Sequence, residues 1–299
     1  MSVRRGILLA ASAAGALALA GAAILLSPGP AAEPAAPTDI AKPQRIMSTN
    51  TCADLLLLML VPRDRIASVS YLAHDAAEAL MPGADEGVAI NHGAAEEVVG
   101  QQPDLILASP WSTPVLRRFA SAVGAPVVEI DSANSFEDIR RITRQVGAMV
   151  GEPARTEELI AQMDRKLDDL RQRRPESPVE VVAWSAGNSV PGKGTLTNAI
   201  IEAAGAVNLA ASAPDDSHSS FGIEELLAAQ PKAILRGMPD QQKPSLTDAA
   251  FEHPVIREAF RGRQITYPVF LHTCGLPQSA DAAVQLHEAL AKLPRGRAQ

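Results

Sequence analysis

Two stretches of this chain repeat one another at a constant offset. Glu96-Glu97-Val98-Val99-Gly100-Gln101-Gln102-Pro103 precedes an apolar run that includes Ile106-Leu107, and Glu224-Glu225-Leu226-Leu227-Ala228-Ala229-Gln230-Pro231 precedes one that includes Ile234-Leu235. Glu, Glu, Gln, Pro, Ile and Leu recur in register. Amphipathic helices resemble one another by chance, but six register-locked identities point instead to a duplicated helix-then-strand unit. A chain so built is constrained to two similar lobes.

The rest of the pattern agrees. Arg45–Thr49, Ile66–Ser70, Asp104–Ala108 and Pro126–Ile130 are short apolar runs that read as strands, with helical stretches over Ala53–Leu60 and Pro114–Val123 between them. After Pro178 the alternation resumes: strand Val179–Trp184, helix Leu196–Ala204, strands Ala233–Leu235 and Gln264–Val269, and a last helix over Pro277–Leu293. Strands alternating with helices imply βαβ units and mostly parallel sheets. Between the halves, Ser135–Val150 places Phe136, Ile139, Ile142, Val146 and Met149 at helical spacing. Glu152–Arg174 does the same with Leu159, Ile160, Met163, Leu167 and Leu170; Pro153 fits its first turn and Pro175 closes it. The expected fold class is α/β, with two Rossmann-like lobes, mostly parallel central sheets and a single long backbone helix between them. The expected lobes are residues 44–150 and 175–299, with the helix over 151–174.

Arg4 and Arg5 precede an apolar, Ala-rich run from Ile7 to Leu26. A basic start followed by such a run reads as a secretory signal over 1–26, with cleavable small residues at Ala20-Gly21-Ala22; an uncleaved anchor is the competing reading, since the run is about long enough to span a bilayer. Residues 27–43 hold five prolines among Ala, Gly and Glu and read as an extended tether. A cleaved signal with no nearby Cys for lipid attachment puts the mature protein in the periplasm.

With 27 basic and 34 acidic residues, and no basic run beyond Arg171, Arg173 and Arg174, nucleic acid is not an expected partner. Catalysis finds little support either. Nucleophile elbow, phosphate-binding Gly loop and zinc-hydrolase spacing are all missing, and Pro191-Gly192-Lys193-Gly194-Thr195 reads as a turn before a helix.

The chain resembles the periplasmic binding proteins for iron–siderophores, haem and cobalamin. The matching segments are Arg45–Asp54, Glu96–Leu107, Val127–Ile130, the helix from Glu152, Gly194–Thr197 with Ala203-Ala204-Gly205, and Glu224–Leu235. The resemblance implies a monomeric receptor without a resident cofactor. It would capture a metal chelate (a ferric siderophore first, cobalamin or haem otherwise) and deliver it to an ABC permease and its ATPase. In such families a surface Glu on each lobe pairs with permease arginines, which assigns that role to Glu96 and Glu224. The plainer reading is that first-turn acids favour the helix dipole.

Ligands of open α/β sheets sit beyond the carboxyl ends of the strands. Tyr71, Trp111 and Trp184 follow or end strands and are the expected aromatic contacts; singly, each reads equally well as packing. Asn50, His92 and His272 fall in comparable loops and add polar or metal contacts. The histidines lack the spacing and acidic company of a direct metal site, so none is expected. Cys52 and Cys274 are the only cysteines. In an exported protein such a pair forms a bridge or stays as two thiols, and pairing cannot be read from sequence. An enzyme or a ligand sensor on the same scaffold are the other readings that remain open.

Overall fold

The computed structural model describes residues 42–112, 114–184, 189–212, 218–238 and 251–294. The signal expected over 1–26 and nearly all of the tether over 27–43 lie outside them. The described residues belong to one compact unit. Among them, no helix is long and apolar enough to cross a membrane.

The chain begins with β1 (Ile46–Ser48), α1 (Thr51–Leu60), β2 (Ile66–Ser70), α2 (Ala73–Leu80), β3 (Ile90–Asn91), α3 (Ala95–Gln101), β4 (Leu105–Ala108), α4 (Pro114–Ala122) and β5 (Val127–Glu129). These strands form a parallel sheet of order β3-β2-β1-β4-β5. Two helices follow, α5 (Phe136–Met149) and α6 (Pro153–Gln172). The remainder is β6 (Val179–Ala183), β7 (Ser189–Pro191), α7 (Leu196–Ala203), β8 (Ala206–Asn208), β9 (His218–Ser220), α8 (Ile223–Ala229), β10 (Ala233–Met238), α9 (Pro254–Ala259), β11 (Gln264–Pro268), α10 (Val269–Thr273) and α11 (Ser279–Ala291). A second parallel sheet runs β11-β10-β6-β8, while β7 and β9 pair antiparallel. In both parallel sheets the first strand lies between the second and the third long one, so each sheet has its own point of strand-order reversal, β1/β4 and β6/β10.

The inner strands, β1 and β4 in the first sheet and β6 and β10 in the second, are largely buried on both faces, and side-chain alternation sorts their residues into separate cores. Ile46, Leu105 and Leu107 face a large cluster shared with α1, α5, α6 and α11, whereas Met47, Ile106 and Ala108 pack with Val98, Leu116 and Ala120. In the second sheet Val181, Ala183, Ala233 and Leu235 take one side, and Val182 and Ile234 the other.

The repeated segments adopt the same backbone. Gln102 ends α3 and Gln230 ends α8, each left-handed at φ 45° and 48°, and they are the only non-glycine residues with positive φ among those described. Their amides donate to the carbonyls of Val98 and Leu226. Each is followed by proline, which cannot continue a helix.

Helix α6 starts on Pro153 and, at 20 residues, runs about 30 Å. It crosses α5 closely, because Gly147 has no side chain: a Cβ there would meet Thr156 Oγ1 at 1.8 Å. Arg140 with Asp164 and Arg144 with Glu157 join the two helices on the outside. The buried stripe of α6, Leu159, Ile160, Met163, Leu167 and Leu170, packs into the large core, with α11 on its other flank.

Candidate functional site

The carboxyl ends of both parallel sheets carry the side chains that point to binding. At the first sheet, β1 leads into Asn50, the N-cap of α1, whose Oδ1 accepts from the amides of Cys52 and Ala53, both at 3.0 Å. This spends the Asn50 oxygen on the helix. One turn in, Asp54 is fully buried. Its Oδ2 accepts from the amide of Ser70 at 3.2 Å and from the Ser70 hydroxyl at 2.5 Å, while Oδ1 has no partner. Burial pushes the Asp54 carboxyl up to about 6, against the opposing pull of the Ser48 and Ser70 hydroxyls. Beside it Asn91 donates to the Ser48 carbonyl and the Ser68 hydroxyl, so the ends of β1, β2 and β3 share one buried polar network.

That network holds Tyr71, the residue after β2, whose amide donates to the Asn91 carbonyl. Tyr71 is 54% exposed and stacks on His92, with ring centroids 5.3 Å apart and planes 18° apart. His92 is itself anchored, since its amide donates to Glu97 at 2.9 Å. Burial works to raise the Glu97 carboxyl, but hydrogen bonds from the Ala94 and His92 amides outweigh it and hold the group below its ordinary range. Trp111, after β4, is 91% exposed.

Trp184 corrects an expectation. It is only 3% exposed and packs with Val182, Ile234 and Phe251, its Nε1 donating to the Phe221 carbonyl at 2.9 Å. It continues the inward-facing alternation of β6 and is a core residue; it does not face Trp111 across a cleft.

His272 is likewise not on a loop. It lies in α10, buried, against Tyr267 of β11 with ring centroids 4.0 Å apart. Its Nδ1 is 3.4 Å from Thr197 Oγ1, and Nε2 has no hydrogen-bond partner. Burial pushes the His272 imidazole down to about 3, so it is neutral at ordinary pH, and burial raises the Tyr267 phenol. Both rings line a cavity of about 370 Å³ with Ala133 and Asn134, which follow the first sheet, and Pro191, Thr195, Leu196, Thr197, Val269 and Thr273 from the second half.

Beneath this cavity the two halves are fastened. Cys52, in the first turn of α1, is disulfide-bonded to Cys274, just past α10, with Cα atoms 5.0 Å apart. The next residue, Gly275, presses on Ala133; a Cβ at 275 would lie 2.4 Å from the Ala133 Cβ. Asn50, Cys52, Ala133, Thr273 and Gly275 line a small cavity at this seam.

The paired glutamates divide into two kinds. Glu97 folds back to cap α3, and Glu225 folds back over Gly222, where an added Cβ would meet its Oε2 at 2.7 Å. Glu96 and Glu224 stay exposed, with no hydrogen-bond or ion-pair partner among the described residues. Asp54, Thr197, Tyr267 and Asn134 were not legible as site residues; the position of Tyr267 near the end of its strand was the one available signal. Among the described residues no cluster of three or more His, Cys, Asp or Glu side chains is placed to hold a metal ion.

The periplasmic binding protein family matches residues 46–257. A cobalamin-binding protein of Halobacterium salinarum is 27% identical over 207 residues, covering 66% of this chain and 54% of that protein; the chain thus spans about half the length of the curated relatives it matches. The periplasmic haem-binding protein HutB of Vibrio cholerae has the same fold, with a TM-score of 0.69 at 19% identity over 83% of this chain and 98% of that one. The periplasmic vitamin B12-binding protein BtuF of Vibrio cholerae superposes with a TM-score of 0.62 at 19% identity, covering 84% and 97%. From the family match over most of its length, and from a fold that these binding proteins share, the chain belongs to the periplasmic binding protein family.

Proposed function

We propose that this chain is the exported solute-binding protein of an ABC importer, and that it captures a bulky metal chelate between its two sheets for delivery to a permease and its ATPase. The carrying observation is the cavity lined from both halves at the carboxyl ends of the strands, with the exposed Tyr71–His92 pair at the carboxyl ends of β2 and β3 in the first sheet. Rigid aromatic surface suits a ligand of this size. The relatives named above bind cobalamin, haem and vitamin B12, and another protein of this fold belongs to a ferric hydroxamate transport system. A metal in an organic chelator is their shared chemistry. The similarity to a cobalamin-binding protein favours a corrinoid over a ferric siderophore.

In this reading the first 26 residues direct export to the periplasm, the following residues tether a monomeric receptor, and α6 is the strut between lobes. Glu96 and Glu224 meet the permease, an assignment supported by their exposure and their lack of partners among the described residues, while Glu97 is engaged in capping its own helix. The test is titration of the purified protein with cyanocobalamin, hemin and a ferric hydroxamate, followed by absorbance and equilibrium dialysis. Submicromolar binding of one of them, one molecule per chain, supports the reading; failure of all three overturns it.

A further inference from the structure

The disulfide stands where the two halves of the candidate site meet. Cys52 lies in the first turn of α1, and Asp54, two residues on, accepts from both the amide and the hydroxyl of Ser70. Ser70 leads directly into Tyr71. Cys274 caps α10, the five-residue helix that places Val269, His272 and Thr273 in the cavity wall. Ala133 and Thr273 line both that cavity and the small one at the bridge, so the seam and the cavity wall are continuous. Helices shorter than about 12 residues are marginal in water on their own, so the place of α10 is set by what it is fastened to. Leu271 fastens it to the large core, and Cys274 fastens its C-terminal end covalently to α1.

We propose that the Cys52–Cys274 bridge is a positioning element of the binding site. It fixes the α10 wall of the cavity against the first half, so that the empty receptor already has the spacing its ligand needs. The ligand part of this statement rests on the chelate-binding reading given above. The seam leaves little slack: the cysteine Cα atoms are 5.0 Å apart, and a Cβ added at Gly275, the next residue, would overlap the Cβ of Ala133. Without the bridge, Leu271 still holds α10 in the core, but the C-terminal end of the helix loses its covalent tie to α1. That end then samples a range of positions, of which only a fraction keep the cavity spacing. A receptor competent for only a fraction of the time has its Kd raised by the inverse of that fraction. Order built in beforehand is order the ligand does not have to impose.

The experiment compares the parent with the Cys52→Ala, Cys274→Ala protein in two readouts, both well below the melting temperatures. The first needs no ligand: hydrogen exchange of the α10 amides, with α5 as internal reference. The bridge joins residues 222 apart, so its loss also lowers global stability, and the reference helix reports that share. Exchange in α10 should rise about tenfold or more beyond any rise in α5. The second readout is titration with cyanocobalamin, hemin and a ferric hydroxamate. Whichever of them the parent binds should bind the bridge-free protein about tenfold more weakly. Gly275→Ala keeps the bridge and wedges the seam at Ala133; it is the second probe should the bridge-free protein fail to fold, and it should weaken the same chelate. Exchange in α10 that only follows α5, or an unchanged Kd in either folded variant, overturns the positioning role while leaving chelate binding intact. If the parent binds none of the three, the chelate reading fails, and the exchange result still decides whether the bridge holds the wall.

Discussion

Tyr71 stacks on His92 at 5.3 Å, a contact between one residue that follows β2 and another that follows β3. Both side chains are largely exposed, so the pair contributes little to stability and leaves aromatic surface free for a ligand. Tyr71→Ala should leave the melting temperature within a few degrees of the parent and weaken chelate binding by about 1–4 kcal/mol, the usual cost of truncating an aromatic anchor. Parallel melting curves and absorbance titrations check this. An unchanged Kd removes Tyr71 from the binding surface.

The two tryptophans should behave as opposites. Trp111 is 91% exposed and Trp184 3%. Iodide should therefore quench the fluorescence of Trp184→Phe, which retains Trp111, far more than that of Trp111→Phe. Trp184→Ala should cost about 3–5 kcal/mol in urea unfolding, since it empties a packed site and strands the Phe221 carbonyl. Trp111→Ala should stay within about 0.5 kcal/mol of the parent. Equal quenching of the two Phe variants would contradict the burial of Trp184.

Reversing charge at Glu96 and Glu224 together should abolish uptake and leave chelate affinity intact. Losing one partner of a desolvated pair costs about 2–5 kcal/mol, and Lys adds repulsion against a basic permease surface. Uptake and binding are measured on the same Glu96→Lys, Glu224→Lys protein, with a melting curve as control. Normal uptake by a folded double variant returns both residues to the helix-dipole role.

Asp54 makes stability depend on pH in a defined sense. Its carboxyl titrates near 6 in the folded protein against an ordinary value of 3.8, so between those values the folded state holds the extra proton. Its contribution is complete below the lower value and is lost as pH rises through the upper one, a loss of about 3 kcal/mol. Asp54→Asn stays neutral throughout. Relative to the parent, the variant should gain stability between pH 4 and pH 7.5, while the opposing titration of His272 is common to both proteins and cancels. A variant that loses ground over that interval contradicts the assignment.

Much of the architecture was legible because long, periodic elements announce themselves. The spacing of Leu159, Ile160, Met163, Leu167 and Leu170 located α6, and the Glu–Gln–Pro repeat located α3 and α8 with the strands after them. The candidate binding edge was harder to read. A strand end marks the rim of a sheet without telling which face its last side chain takes, and Trp184 turned inward along the Val182–Trp184 alternation. Helix α10 has only five residues, too few to show a period, so His272 passed for a loop residue. Asp54 looked like any acid in a first turn; its burial depends on the return of β2 and on Ser70, which no local pattern records.

The Cys52–Cys274 bridge has a consequence for how the molecule is made. Its partners are separated by 222 residues, and between them lie every strand of the second sheet and all but β1 of the first. During synthesis Cys52 remains a lone thiol until the chain has been extended through α10. With no other cysteine in the sequence, neither residue has a wrong partner within its own chain. The bridge thus records completion. A molecule cut short or misassembled in its second half shows a reactive thiol at Cys52 and a finished one shows none, so a thiol-labelling reagent counts the unfinished population directly.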